Sequence, residues 1–253
     1  MTNSDASKVL IVIPARYAAA RFPGKPLAEI AGKPMIQHVF ERAKGSQHAT
    51  RILVATEDER IKVAVEKAGG EAILTRADHR TGTDRVAEVA AHVRADIYIN
   101  VQGDEPLIDP STIDGVAAAM LEDESVQLCT PCSAITQKND IMDPNVVKVV
   151  LDFDGNGLYF SRAPIPWVRD TGATVAARHW KHIGIYGFRR DTLLEFPTLP
   201  PGELERIEQL EQLRWLENGF HMRVVETEYD PVSVDVPADV ERVEKILRER
   251  GKN

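Results

Sequence analysis

The loop after the first apolar run of this chain concentrates positive charge. Pro14-Ala15-Arg16 opens it, Arg21 follows three alanines, and Gly24-Lys25-Pro26-Leu27 closes it. Guanidinium and ammonium groups this close together, separated by small residues, suit the oxygens of a phosphate chain, because the backbone can approach those oxygens closely. A solvated basic loop has the same composition, and the residues alone leave both roles open. Pro26 stands where a Walker A loop has Ser or Thr, and no G-x-G-x-x-G follows the first strand, which weighs against a dinucleotide site. Gly32-Lys33-Pro34 repeats the tripeptide, but there the expectation is a turn with Pro34 opening a helix. Two carboxylates complete the set. Asp104 ends an apolar strand in Gln102-Gly103-Asp104-Glu105, where Gly103 permits close backbone approach. Asp235 sits in Ser233-Val234-Asp235-Val236-Pro237, ahead of the last helix. By spacing alone, capping a turn or a helix is the plainer role for each. Arg85 is a further candidate for phosphate contact, and no Ser-His-Asp pattern calls for a covalent intermediate.

The elements that would position these groups follow from apolar periodicity. Strands are expected at 9–14, 51–56, 71–74 and 97–101, and helices around 36–43, 61–68, 86–93 and 110–120, with Asp58 as a cap and Gly69-Gly70 as a stop. This alternation predicts a Rossmann-like α/β fold with a mostly parallel sheet and helices on both faces. Ligands in such sheets bind outside the carboxyl ends of the strands, which is where the basic loop would lie. After Asp143-Pro144 the pattern changes to strands of antiparallel character at 146–151, 157–160 and 181–189. A helix then carries Leu204, Ile207, Leu210, Leu213 and Leu216 on one side and ends at Asn218-Gly219. A strand at 222–226 and a terminal helix through Val240 and Leu247 complete the chain. The expected organisation is one α/β domain over 1–253 with a smaller antiparallel lobe inserted at approximately 144–220.

Composition narrows the partners. The formal net charge of −8 among 253 residues disfavours nonspecific nucleic-acid binding, which needs a basic surface. Neither a membrane-spanning run nor a secretory signal is legible, so no membrane partner is expected and the cytoplasm is the default location. The two cysteines, Cys129 and Cys132, invite a redox reading. Their segment reads as a strand, however, and an offset of three puts the two thiols on opposite faces, so buried thiols are expected.

Together these words resemble the sugar-acid cytidylyltransferases, specifically the CMP-Kdo synthetases (3-deoxy-manno-octulosonate cytidylyltransferases). The likeness starts at Ile13-Pro14-Ala15-Arg16 and Gly24-Lys25-Pro26-Leu27. It continues through His79-Arg80-Thr81-Gly82-Thr83-Asp84-Arg85, Val101-Gln102-Gly103-Asp104-Glu105-Pro106, Asn145-Val146-Val147-Lys148, Leu158-Tyr159-Phe160-Ser161-Arg162, His182-Ile183-Gly184-Ile185-Tyr186 and Leu210-Glu211-Gln212-Leu213-Arg214. The chain departs from the family at Ala19-Ala20, Thr81 and Val236, and no charged group is lost by these changes.

The resemblance implies a single nucleotidyltransferase domain, with CTP and Kdo as substrates and 8-amino-Kdo or sialic acid as the alternative acceptor. It implies Mg2+ as cofactor, Asp104 and Asp235 as metal ligands, and a homodimer. It implies triphosphate contacts from Arg16, Arg21 and Lys25, and nucleotide contacts from Pro14, Ala15, Thr81, Gly82, Arg85, Gln102 and Asp104. Catalysis would rest on Lys25, Asp104, Asp235 and Arg16. The acceptor would meet Gln102, Arg162, His182, Tyr186, Glu211 and Gln212. Two carboxylates ~4 Å apart repel by roughly 4 kcal/mol at an effective dielectric of about 20, so such a pair needs a cation. Taken without the resemblance, Arg162 reads as a surface strand residue, Tyr186 as core, and Glu211-Gln212 as a solvated helix face.

Overall fold

A computed structural model describes residues 7–18, 22–169 and 178–250. Its first half builds the parallel part of the sheet. Strand β1 (Ser7–Pro14) is followed by a small hairpin, β2 (Glu29–Ile30) and β3 (Lys33–Pro34), then α1 (Met35–Ala43), β4 (Arg51–Thr56), α2 (Glu59–Lys67) and β5 (Glu71–Leu74). Helix α3 (Gly82–His92), β6 (Ala95–Asn100) and α4 (Pro110–Glu122) complete it. Strands β5, β4, β1 and β6 lie side by side and run parallel. Both faces of β1 are covered, as its unbroken apolar sequence requires. Val9, Ile11 and Ile13 pack with Ile36 and Val39 of α1 and with Ile113 and Val116 of α4. Leu10 and Val12 point the other way, onto Val86, Val89 and Ala90 of α3. Each such fully buried side chain contributes about 1.5–3 kcal/mol, so this sandwich holds the strand ends rigidly.

The second half continues the same sheet with antiparallel strands. These are β7 (Leu128–Ala134), β8 (Lys148–Leu151), β9 (Gly157–Ser161), β10 (Trp180–His182) and β11 (Tyr186–Arg189), with the short helix α5 (Lys138–Met142) after β7. Helices α6 (Arg190–Glu195), α7 (Glu203–Glu208) and α8 (Gln212–Glu217) follow, then β12 (Arg223–Glu226) and α9 (Pro237–Arg250). Among the described residues the strand order is β5-β4-β1-β6-β11-β7-β10-β8-β9, with β12 parallel to β7. The expected α/β fold with a smaller antiparallel part is what forms. Cys129 and Cys132 are both buried, in the clusters on opposite faces of the sheet, and burial pushes each thiol up to about 12.

Two expected elements break. The strand expected over 181–189 is two strands, because Ile183 and Ile185 close a tight turn (Ile185 N to Ile183 O, 2.7 Å). One edge of the broken strand therefore pairs with β6 and then, past the bend, with β8. The single helix expected over 204–216 is α7 and α8, separated at Gln209, which adopts a left-handed conformation (φ 54°). That break rotates the apolar stripe, so Leu210 and Leu213 are buried while Ile207 is 70% exposed. The two short helices are tied instead by charge. Glu217 accepts from the Leu204 and Glu205 backbone N–H groups, and Arg214 Nε donates to Glu205 at 2.8 Å.

Candidate active site

The carboxyl ends of β1 and β6 and the amino end of α3 enclose a cavity of about 280 Å3. Pro14 and Ala15 leave β1 into it, Arg16 and Lys25 line it, and Thr81, Gly82, Arg85, Gln102, Asp104 and Asp235 complete the wall. Every nucleotide-side candidate within the described residues is thereby brought together. Arg21, with Ala19 and Ala20, lies outside the described residues. The loop closes on itself through Gly24, whose amide donates to Tyr17 O at 2.8 Å and whose φ of 73° suits glycine. A 3-10 turn over Lys25–Leu27 then points the Lys25 side chain inward. Gly103 is needed for proximity, since a Cβ there would lie 2.8 Å from Pro14 O.

Lys25 is the electrostatic centre of this cavity. Its ammonium lies 2.7 Å from Asp104 Oδ2 and 3.5 Å from Asp235 Oδ1, and donates to Val234 O at 2.8 Å. Backbone pairing of Val234 N with Asp104 O (2.9 Å) holds the two acidic segments side by side. The helix-capping role that spacing allowed Asp235 belongs to Asp239, whose carboxylate accepts from the Asp235 and Val236 N–H groups at 2.8 and 3.0 Å. Burial pushes the Asp239 carboxyl up, but those two donors outweigh it and hold the group below its ordinary value. Asp104 and Asp235 thus converge on one cation, and their hard oxygens suit Mg2+, which takes few carboxylates alongside phosphate oxygens and water.

At the α3 end, Thr81 and Asp84 form a reciprocal capping box, with Thr81 Oγ1 accepting from Asp84 N at 3.1 Å. The positive end of an 11-residue helix therefore faces the cavity. Arg85, 3% exposed, reaches from α3 to Glu57 (2.9 Å) and Thr75. Burial lowers its pKa, with Glu57 and Glu88 opposing.

The acceptor-side candidates divide into three places. His182, Tyr186 and Gln212 form one buried chain across the β10–β11 bend, at 8%, 9% and 3% exposure. Thr130 Oγ1 lies 2.9 Å from His182 Nε2 and 2.8 Å from Ile185 O, so it donates to the carbonyl and accepts from the ring. His182 Nδ1 is then an acceptor for Gln212 Nε2 (3.4 Å), and Gln212 Oε1 accepts from Tyr186 OH (3.2 Å). Every member is satisfied with a neutral imidazole, and burial drives the His182 pKa down to about 3. Glu211 turns the other way, to the hydroxyl of Thr83 on α3, and burial raises its carboxyl. The solvated face expected for Glu211 and Gln212 is thus overturned, because the break at Gln209 turns this turn of helix into the protein. Arg162 stands apart, donating to the carbonyls of Glu208, Pro144 and Gln209 at 2.7–3.3 Å. Gln102 links the two sides, since a Cβ added to Gly82 would lie 3.9 Å from its Oε1 and one on Gly184 would lie 3.7 Å from its Cγ.

Thr130, Asp239 and Glu57 escape sequence reasoning. Only Asp239 carries a local signal, an acid at the third position of a helix.

Known proteins resemble this chain along its length. A 3-deoxy-manno-octulosonate cytidylyltransferase from Solibacter usitatus is 51% identical over 241 residues, covering 95% of both chains. One from Geobacter metallireducens is 51% identical over 250 residues, covering 95% of this chain and 98% of its own. A solved CMP:2-keto-3-deoxy-manno-octonic acid synthetase complexed with CTP superposes with a TM-score of 0.92 at 45% identity, covering 96% of this chain and all of that one. A cytidylyltransferase from Leptospira borgpetersenii, 18% identical with a TM-score of 0.64 over 96% of this chain and 87% of that one, shares the fold. Residues 10–228 match the family model described as Cytidylyltransferase, and the chain belongs to that family.

Proposed function

We propose that this protein joins CTP to the acid sugar Kdo, giving CMP-Kdo and pyrophosphate for the inner core of lipopolysaccharide. The anomeric hydroxyl of Kdo attacks the α-phosphorus in line as the bond to the leaving pyrophosphate breaks. Lys25 and Arg16, with Arg21, grip the triphosphate and stabilise the charge that gathers on the leaving group. Asp104 and Asp235 hold Mg2+, which when bound neutralises phosphate charge and helps orient the reactants. Gln102 sits between nucleotide and sugar, while His182, Tyr186, Gln212, Glu211 and Arg162 define the acceptor side. The observation that carries this function is the placement of Lys25 between two carboxylates inside a cavity lined by Arg16, Arg85 and the amino end of α3.

The lobe over approximately 144–220 carries the acceptor wall and the contact of a homodimer. Large apolar side chains exposed in the single chain support the second role: Met142, Phe153, Leu158, Trp167 and Ile207 are each more than 60% exposed and fall in or beside it. Among the described residues no helix is long and apolar enough to cross a membrane. We infer a cytoplasmic site of action, where CTP is available. The test is pyrophosphate release with Mg2+, each of the four nucleoside triphosphates, and Kdo or N-acetylneuraminate as acceptor. Turnover specific to CTP and Kdo is expected; equal turnover with N-acetylneuraminate, or a preference for UTP, contradicts the assignment.

A further inference from the structure

We propose that Glu57 is a positioning residue for the triphosphate loop, tying that loop to the buried arginine of α3 and so fixing the spacing of the cations that meet the nucleotide. The proposal rests on the CTP-binding role assigned above. Glu57 follows β4 and is not among the residues that line the cavity. Its Oε1 accepts from Tyr17 N at 2.8 Å, and its Oε2 lies 2.9 Å from Arg85 Nη2. The side chain is only 15% exposed, so both contacts are shielded from water.

Tyr17 is the base of the loop. Its amide is held by Glu57, and its carbonyl accepts from Gly24 N at 2.8 Å, which joins the start of the loop to the residue before Lys25. Its ring is gripped as well. The Arg60 guanidinium lies 3.6 Å from the ring centroid, and an added Cβ on Gly24 would come within 3.2 Å of the same ring. Arg60 is in turn fixed by Asp58, through Nε and Nη2 at 2.9 and 2.6 Å. One carboxylate therefore sets where the Arg16–Lys25 segment starts, relative to the Arg85 side of the cavity. A carboxamide can keep the Tyr17 acceptor but loses the charge facing Arg85; alanine loses both.

Steady-state kinetics and hydrogen exchange on Glu57→Gln and Glu57→Ala test this. Glu57→Gln should raise the CTP KM roughly tenfold, with kcat and the acceptor KM within about twofold, since the shielded ion pair with Arg85 is lost. Glu57→Ala should also speed amide exchange at Tyr17 and Gly24 at least about tenfold in nucleotide-free protein, with exchange in β4 unchanged. Unchanged loop exchange and an unchanged CTP KM overturn the proposal. So does a fall in kcat shared with both KM values and the melting temperature, which marks a merely structural charge pair. Should Glu57→Ala not fold, Glu57→Gln decides by the CTP KM. The exchange arm uses no nucleotide, so it reads the tether even if the wild-type chain proves not to use CTP.

Discussion

The charged cluster around Lys25 and the buried polar chain at the β10–β11 bend solve different physical problems. In the cavity, Lys25, Asp104 and Asp235 keep 14%, 31% and 41% of their side-chain surfaces exposed and interact through full charges. At the bend, Thr130, His182, Gln212 and Tyr186 are buried and joined by neutral hydrogen bonds. Charges in water can be rearranged at modest cost when a ligand and a metal arrive. A buried polar chain cannot, because any unpaired member incurs a desolvation penalty. The charged cluster is thus suited to exchange partners, and the buried neutral chain to hold one shape.

Substitutions can break this contrast. The largest effect is expected from Asp104→Asn or Asp235→Asn, each lowering kcat roughly 100- to 1000-fold without loss of fold. Rapid-quench turnover together with circular dichroism would check this, and near-wild-type rates in either variant would remove that residue from the metal site. Next, Lys25→Ala should impair CTP use by about 10- to 100-fold in kcat/KM while leaving the acceptor KM near normal. The readout is the separate KM values.

A third prediction concerns pH. The folded pKa of His182 lies near 3, below its unfolded value, so the neutral ring contributes stability above the unfolded pKa of about 6.5. That stability is lost as pH falls from there towards 3, because the unfolded state binds the proton first. Urea midpoints should therefore decline from pH 7 to pH 4, and His182→Gln should flatten the decline; an equal decline in the variant would contradict the neutral network. The smallest effect is expected at Asp239→Ala, which removes the two-amide cap beneath Asp235 and should cost about 1 kcal/mol of stability by chemical denaturation.

These two regions also differ in how much of each was legible in the sequence. Arg16 and Lys25 stood out because cations clustered after a strand are visible without tertiary information. Spacing gave Asp104 and Asp235 capping roles, and only the resemblance put them in the site. Periodicity located β1, β4 and β5 closely. The buried chain was hidden. Thr130 lies inside an apolar strand that draws attention to its cysteines, and its value comes from a strand bend that no local pattern announces. Gln209 broke the helix in a left-handed conformation usually left to glycine or asparagine, so periodicity ran on across it. Glu57 acts through Tyr17 and Arg85, which come together only once β1, β4 and α3 are packed. The resemblance assigned Glu211 and Gln212 to the site, whereas helical spacing alone put them in solvent.

The central claim is that the Lys25 cluster receives the tail of CTP and its metal. A crystal structure with CTP and Mg2+ tests it most directly. The account predicts Lys25 on phosphate oxygens, with the metal held by Asp104 and Asp235 beside the α-phosphate. A nucleotide bound elsewhere, with Lys25 still bridging both carboxylates, would contradict it.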